Sequence, residues 1–304
     1  MQATILDGKV LAAELRAEIA RETAELKRQS GVTPGLGVIL VGADPASVSY
    51  VTAKEKACAA AGMVSQDVRV PAGTTQAEAL ALVNRMNADP RIHGILVQLP
   101  LPRHIDESDV LNAISPDKDV DGFTPANVGR MILGEPCYLP CTPHGIIRML
   151  LKAGVPTAGR HAVVVGRSNI VGKPVAHLLM RKAEGGNATV TVCHTGTRDL
   201  AAHTLRADIL VVAAGRPGTV TGDMIRPGAV VIDVGVNRIP DPSRPSGFRL
   251  VGDVDFDSAR RVASLITPVP GGVGPMTITM LLHNTLEAAR RAAASHTAPG
   301  GSNA

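Results

Sequence analysis

Residues 160–179 read RHAVVVGRSNIVGKPVAHLL. An apolar β-branched run, Ala162 to Val165, leads into a small-residue turn and then an apolar-periodic helix, the order strand, tight loop, helix. Gly166, Ser168 and Gly172 fall in the turn. Pro174 falls in the first turn of the helix, where its missing N–H is tolerated. Such a crossing gathers backbone N–H groups and a helix N-terminus at one point, a natural seat for a pyrophosphate. The spacing is G-x-S-x-x-x-G rather than G-x-G-x-x-G, so the turn alone also fits an ordinary connection in an α/β domain.

Strand-like runs recur downstream at Thr189–His194, Asp208–Ala214 and Ala229–Val234. Helical or Gly-rich stretches separate them, which implies right-handed crossovers and a parallel sheet. NAD-preferring sites usually place an acid at the end of the second strand, about 20 residues past the glycines. Here that strand ends Cys193-His194-Thr195; Glu184 precedes it, in an AEGGN loop, and Asp199 lies beyond its end. Arg167, Thr195 and Arg198 stand in the acid's place, groups suited to an extra phosphate. The expected cofactor is NADP rather than NAD.

The first half also alternates strand and helix. Asp7-Gly8-Lys9 reads as a capped helix start, and Leu11, Leu15, Ile19 and Leu26 keep to one face of a helix ending near Gly31. GLGVILV (35–41) is a strand, followed by a helix over 46–61, a short strand at 68–70, a helix over 75–87 and a strand at 93–99. This describes an open α/β lobe, closed off by the Pro-rich segment 136–143. An amphipathic helix from Met276 to about Ala293 has no strand partner left in its own lobe and is expected to pack back on the first. The expected division is 1–140 with 276–296, then 141–275, then a disordered tail at 297–304.

With 304 residues the chain has room for two cores. It is 45% hydrophobic and carries a net charge of +4, mildly basic and compatible with small anionic ligands. With 2% aromatics and no Trp there is little to stack on nucleic acid, and none is expected as a partner. No apolar run reaches the ~20 residues of a membrane span, and MQATILDGK lacks a signal pattern. Four scattered cysteines make no disulfide framework, which points to the cytoplasm.

Four positions in the first lobe invite chemistry. Tyr50 and Lys54 are four apart on a helix and share a face, while Lys56 falls elsewhere. A ring beside an amine could hold a flat heterocycle next to a proton carrier; a solvent-facing lysine covering a ring fits as well. Gln98 ends a parallel strand, at the edge where open sheets place ligands, or it satisfies loop backbone. The run DKDVDG (117–122) resembles a calcium loop, but Val128 stands where the bidentate Glu belongs and no helix pair flanks it. Cys137, Cys141 and His144 lack a fourth zinc ligand at a familiar spacing. No metal is expected.

Together the blocks VGADPASVSYVTAKEKAC, GILVQLPLP, DKDVDGF, PCTPHG, VVVGRSNIVGKP, TVTVCHT, DVGVN, VGDV and PGGVGPMT resemble, in order, the bifunctional methylenetetrahydrofolate dehydrogenase–cyclohydrolase family, from about Leu6 to about Leu282. The resemblance implies two open α/β lobes, the second a Rossmann-like NADP-binding domain, in a homodimer with folate, polyglutamylated in the cell, held in the cleft. It implies that Tyr50 packs on the pterin and Lys54 is the catalytic amine. Gln98 would orient that amine, and Asp121 would hydrogen-bond the pterin. Leu99, Gly272 and Pro275 would complete the folate site, with 271–277 closing over it. Gly166, Arg167, Ser168, Ile170, Gly172, Thr195 and Val236 would line the cofactor. The AEGGN loop is longer than the family's usual, which leaves the adenosine contacts open. The activities implied are oxidation of methylene-tetrahydrofolate and hydrolysis of the methenyl product. The first needs positioning more than proton transfer. The second needs a base, and a cationic substrate disfavours the ammonium form of a neighbouring amine. The alternatives are a dehydrogenase lacking the hydrolytic step and a non-catalytic nucleotide sensor.

Overall fold

The computed structural model describes residues 2–244 and 247–297. In chain order the first half comprises β1 (Thr4–Ile5), α1 (Gly8–Ser30), β2 (Gly35–Val41), α2 (Pro45–Ala60), β3 (Val64–Val70), α3 (Gln76–Ala88), β4 (Gly94–Val97), α4 (Glu107–Asn112), α5 (Pro125–Leu133) and α6 (Cys141–Lys152). The second half comprises β5 (His161–Val165), α7 (Gly172–Met180), β6 (Thr189–Cys193), α8 (Leu200–Thr204), β7 (Ile209–Val212), β8 (Val230–Asp233), β9 (Asn237–Pro240), β10 (Phe248–Val251), α9 (Phe256–Ala259), β11 (Leu265–Ile266) and α10 (Val273–Thr297). The tail expected to be disordered lies, from residue 298 on, outside the described residues.

The described residues form two compact units, one of Glu14–Cys141 with 278–297, the other of 2–13 with Thr142–Thr277. The boundaries expected from the sequence differ at one end: the first thirteen residues fall in the later unit. The cause is β1, which pairs in parallel with β11, Thr4 opposite Leu265 and Ile5 opposite Ile266.

The first unit holds a three-stranded sheet of order β3-β2-β4, parallel throughout. β2 is buried along its whole length, hence its unbroken apolar sequence. Its helices start on side-chain caps. Asp44 Oδ2 accepts the Ser47 N–H at 2.8 Å ahead of α2. Thr75 and Glu78 form a reciprocal capping box on α3, with Thr75 N–H to Glu78 Oε2 at 2.8 Å and Glu78 N–H to Thr75 Oγ1 at 3.2 Å. Ile39, Val41, Leu82, Val83, Met86, Ile95 and Val97 form the core. α10 returns to this unit as expected: the buried Asn284 donates through Nδ2 to the carbonyls of Val120 (2.8 Å) and Leu139 (2.9 Å), and Arg290 pairs with Glu22 at 2.8 Å.

The second unit is a six-stranded sheet, order β1-β11-β8-β7-β5-β6, with every pairing parallel. From β5 the chain crosses to β6 on one side and then to β7 on the other. The strand order therefore reverses between β5 and β7, the point where open sheets of this kind bind ligands at their carboxyl edge.

Candidate active site

The sheet of the first unit brings three of the expected groups together. Lys54 lies one turn beyond Tyr50 on α2, and its Nζ donates to Gln98 Oε1 at 3.0 Å. Gln98 sits just past β4 and is itself fixed, donating from Nε2 to the Leu99 carbonyl at 2.7 Å. The amide therefore both satisfies loop backbone and orients the amine. Leu99 is half-buried, and the Tyr50 ring is 42% exposed, a flat apolar surface facing open space. Lys56 is exposed, away from Gln98.

Asp121 reaches the same sheet edge by a short parallel pairing of Ile95 with Asp119, in which Ile95 N–H donates to the Lys118 carbonyl at 2.7 Å. Burial pushes the Asp121 carboxyl up to about 6, the Asp119 charge adding to the rise; the nearby Lys54 ammonium and a hydrogen bond from Cys141 oppose it. The Cys141 thiol also reaches the Val120 carbonyl at 3.3 Å, and burial keeps it protonated. Cys58 is pushed up to about 12 in the same way, so neither buried cysteine supplies a thiolate.

Asp119, next but one to Asp121, supports this corner from within. It is buried, and its carboxylate accepts the N–H groups of Phe123 (3.1 Å) and Thr124 (2.8 Å), the Thr124 hydroxyl (2.7 Å) and Asn127 Nδ2 (2.9 Å). It braces the turn that presents Asp121. Its signal in the sequence is the run DKDVDG, in which acids stand two apart. Among the described residues no group of three or more His, Cys, Asp or Glu side chains gathers to hold a metal.

The other expected residues lie in the second unit. Gly166 (φ 131°) leaves no room for a side chain: a Cβ there would stand 2.1 Å from the Ala213 carbonyl oxygen, and one on Gly172 would stand 2.3 Å from the Gly166 oxygen. The two glycines thus let strand, turn and helix close tightly. Ser168 Oγ accepts the N–H groups of Val171 (3.2 Å) and Gly172 (3.3 Å), bracing the turn that leads into α7. The backbone N–H groups of Arg167, Ser168, Asn169 and Ile170 carry no hydrogen bond among the described residues. This run of free donors at a helix start fits a pyrophosphate.

Val165 pairs with Cys193, so Arg167 and Thr195, each two residues further on, leave adjacent strands in register. Both are exposed, as are Ile170 and Val236. Asp199, the acid beyond the strand, is committed to capping α8, accepting the Ala202 N–H at 3.2 Å. The AEGGN loop belongs elsewhere: Asn187 and Gly186 carbonyls accept from Gly159 N–H (3.0 Å) and Thr157 Oγ1 (2.8 Å), ahead of β5. That is the amino edge of the sheet, opposite the cofactor turn, so the loop's length does not bear on adenosine contacts. Gly272 and Pro275 lie in this unit too, Gly272 buried where a Cβ on Gly8 would come within 1.7 Å of its carbonyl oxygen.

A parallel sheet with a dinucleotide-type turn in one unit, and an amine oriented by a carboxamide beside a half-buried carboxylate in the other, define a nucleotide-dependent enzyme of two α/β units. Comparison with known proteins resolves the class. The chain belongs to the tetrahydrofolate dehydrogenase/cyclohydrolase family: residues 6–121 match its catalytic domain and residues 140–293 its NAD(P)-binding domain. It is 59% identical over 291 residues to the bifunctional protein FolD of Moorella thermoacetica, covering 96% of this chain and 100% of that one. Among solved structures it is similar to the bifunctional FolD methylenetetrahydrofolate dehydrogenase/cyclohydrolase of Campylobacter jejuni (47% identity, TM-score 0.89, 95% and 99% of the two chains). It is similar as well to the methylenetetrahydrofolate dehydrogenase-cyclohydrolase of Trypanosoma brucei complexed with NADP and an inhibitor (44% identity, TM-score 0.91, 96% and 98%).

Proposed function

We infer that this chain is a bifunctional enzyme that oxidises methylene-tetrahydrofolate with NADP and hydrolyses the methenyl product to formyl-tetrahydrofolate. The observation that carries the reading is the Lys54–Gln98 hydrogen bond of 3.0 Å, beside Tyr50 and Asp121, in a chain of this family. NADP supplies the hydride acceptor when bound. Its pyrophosphate fits the free N–H groups of 167–170 and the cradle closed by Gly166 and Gly172. Arg167 and Thr195 hold the extra phosphate, with Ile170 and Val236 against the rings.

On the folate side Tyr50 stacks on the pterin, the Asp121 carboxylate accepts from its ring donors, and Leu99 adds a further folate contact. In the hydrolytic step water adds to the methenyl carbon while one of its protons passes to the Lys54 amine. The ring C–N bond then opens, that proton is delivered to the departing nitrogen, and the second water proton leaves the hydroxyl for solvent as the formyl C=O forms. Gln98 keeps the amine aimed throughout.

The enzyme acts as a homodimer on polyglutamylated folates in the cytoplasm. The exposed Val192 on the edge strand β6 supports a second copy there, the net charge of +4 an anionic substrate, and four unbridged thiols a reducing compartment. Two assays on the purified protein test the activities: growth of the reduced-nicotinamide absorbance with methylene-tetrahydrofolate and NADP, and loss of the methenyl absorbance without cofactor. Hydride transfer without hydrolysis would leave a dehydrogenase only, and neither activity would sink the reading.

A further inference from the structure

Two buried carboxylates in the second unit have no cation to answer them. Asp233, at the carboxyl end of β8, and Asp253, between β10 and α9, are 3% and 0% exposed, and neither forms an ion pair among the described residues. Burying a carboxylate is costly unless donors converge on it, so the donors show what each one holds. Asp233 Oδ1 accepts the N–H groups of Gly235 (3.0 Å) and Asp253 (2.9 Å), and its Oδ2 accepts that of Val254 (3.0 Å). Asp233 therefore fixes the backbone at Asp253. Asp253 in turn takes the successive N–H groups of Ala214 (2.6 Å) and Gly215 (2.8 Å) on Oδ2, and Asn237 Nδ2 (2.8 Å) on Oδ1. Both carboxylates are packed against glycine. A Cβ on Gly252 would stand 1.8 Å from Asp233 Oδ2, and one on Gly235 would stand 2.2 Å from Asp253 Oδ1.

The two loops tied this way border the point of strand reversal. Ala214 and Gly215 follow β7, and the Ala213 carbonyl is the atom that crowds Gly166 across from the cofactor turn. Asn237 directly follows Val236 beyond β8. An apolar filler would pack these loops without directing them, whereas one carboxylate with two acceptor oxygens sets both at once. We propose that Asp253 is a positioning residue for the nicotinamide cofactor, setting the loop after β7 and the loop carrying Val236 in the places a bound dinucleotide requires. The proposal rests on the NADP reading above.

The test exploits the independence of the hydrolytic step from cofactor. In the full-length protein Asp253→Asn keeps the shape but turns an amide N–H₂ toward donors. It should raise the NADP Kd, by calorimetry, and the NADP KM roughly ten- to a hundredfold, the loss of a charged hydrogen bond. Cofactor-free hydrolysis should stay within about twofold, since that step makes no contact with the dinucleotide. Asn237→Asp, which sets two carboxylates face to face, should raise the Kd similarly. Combining it with Asp253→Asn restores a donor–acceptor pair and should recover the Kd to within about fivefold of the parent. An unchanged Kd in Asp253→Asn, hydrolysis falling in step with the KM, or no recovery in the combined variant would each overturn the proposal. Should Asp253→Asn not fold, Asn237→Ala removes the link to the second loop together with the Asn237 Nδ2 bond to the Gly252 carbonyl (3.2 Å) and leaves the Ala214 and Gly215 bonds in place; a raised Kd with normal hydrolysis then supports the proposal and an unchanged Kd overturns it. A parent protein that binds NADP but shows neither activity would sink the functional reading, while the calorimetric comparison would still decide the role of Asp253.

Discussion

Replacing Gln98 by alanine removes the acceptor that holds the Lys54 ammonium at 3.0 Å and leaves the lysine free to sample its rotamers. A hydrogen bond to a charged group contributes ~1.5–3 kcal/mol. Both residues are only half-buried, so solvent screening favours the lower end, ~1.5–2 kcal/mol. That corresponds to a loss of roughly ten- to thirtyfold in hydrolysis. Lys54→Gln, which deletes the proton carrier, should cost ~10²–10⁴-fold in the same assay while hydride transfer survives within about tenfold. If Gln98 acts through Lys54, the effects cannot add: introducing Gln98→Ala into Lys54→Gln should cost less than about threefold more. The assay is the cofactor-free disappearance of methenyl-tetrahydrofolate, run on the parent, both single variants and the pair, with the exposed Lys56→Gln as control. Full additivity in the pair would refute the coupling. An equal fall in hydride transfer with Gln98→Ala would show instead that the amide holds folate.

Three further outcomes follow from other features. Arg167→Ala should raise the NADP KM roughly ten- to a hundredfold, a lost charged contact, and leave NAD use nearly unchanged; equal weakening of both would reduce Arg167 to a loop-shaping residue. Because the Asp121 carboxyl lies at about 6 and must be ionised to accept from the pterin, kcat/KM for hydrolysis should fall as pH drops through about 6. Asp121→Asn should abolish that limb at a lower plateau. The sign for stability is opposite: a carboxyl raised in the fold favours the native state below its folded value, and this contribution is lost as pH rises through about 6. Asn284→Ala removes the amide donor of the Val120 and Leu139 carbonyls, of which Val120 keeps the Cys141 thiol, and should lower stability by ~1–3 kcal/mol, seen as a Tm lower by roughly 2–8 °C; an unchanged Tm would mean water replaces the amide.

Much of this was legible in the residues. GLGVILV is a strand over its full length, and the helix expected over 75–87 is α3, with Thr75 as its cap. RHAVVVGRSNIVGKPVAHLL folds as strand, turn and helix, because patterning, turn chemistry and helix-start signals agree there. What was missed is short or punctuated. β1 and β11 are two residues each, too brief for any periodicity, and their pairing moves the N-terminus to the later unit. β3 begins at Val64 rather than at 68 because its first four residues, VSQD, carry little apolar signal. α6 was hidden inside the expected Pro-rich connection, since CTPHG holds both a proline and a glycine. Gly145 is there for space, a Cβ standing only 3.0 Å from the Met276 Cβ. Tyr50, Lys54 and Gln98 carry a signal of residue type and spacing, and Asp121 one of family resemblance. Asp119, Asp233 and Asp253 are read only from the N–H groups they collect.

Each unit is sewn from two distant stretches of chain, which bears on how the protein emerges from the ribosome. The Val120 and Leu139 carbonyls wait for an amide that lies 164 and 145 residues downstream. At about 5–20 residues per second the interval is roughly 8 to 30 s, during which the three-stranded sheet is built but these two carbonyls lack their amide. The other unit has the mirror problem: β1, made first, has no neighbour until β11 is translated. Neither half can be released as a finished product by cutting the chain once, at 136–143 or anywhere else. A nascent chain stalled before Asn284 should accordingly be a preferred client for chaperones that cover apolar surface, and an arrest series probed by protease would show resistance arriving in both halves late and together.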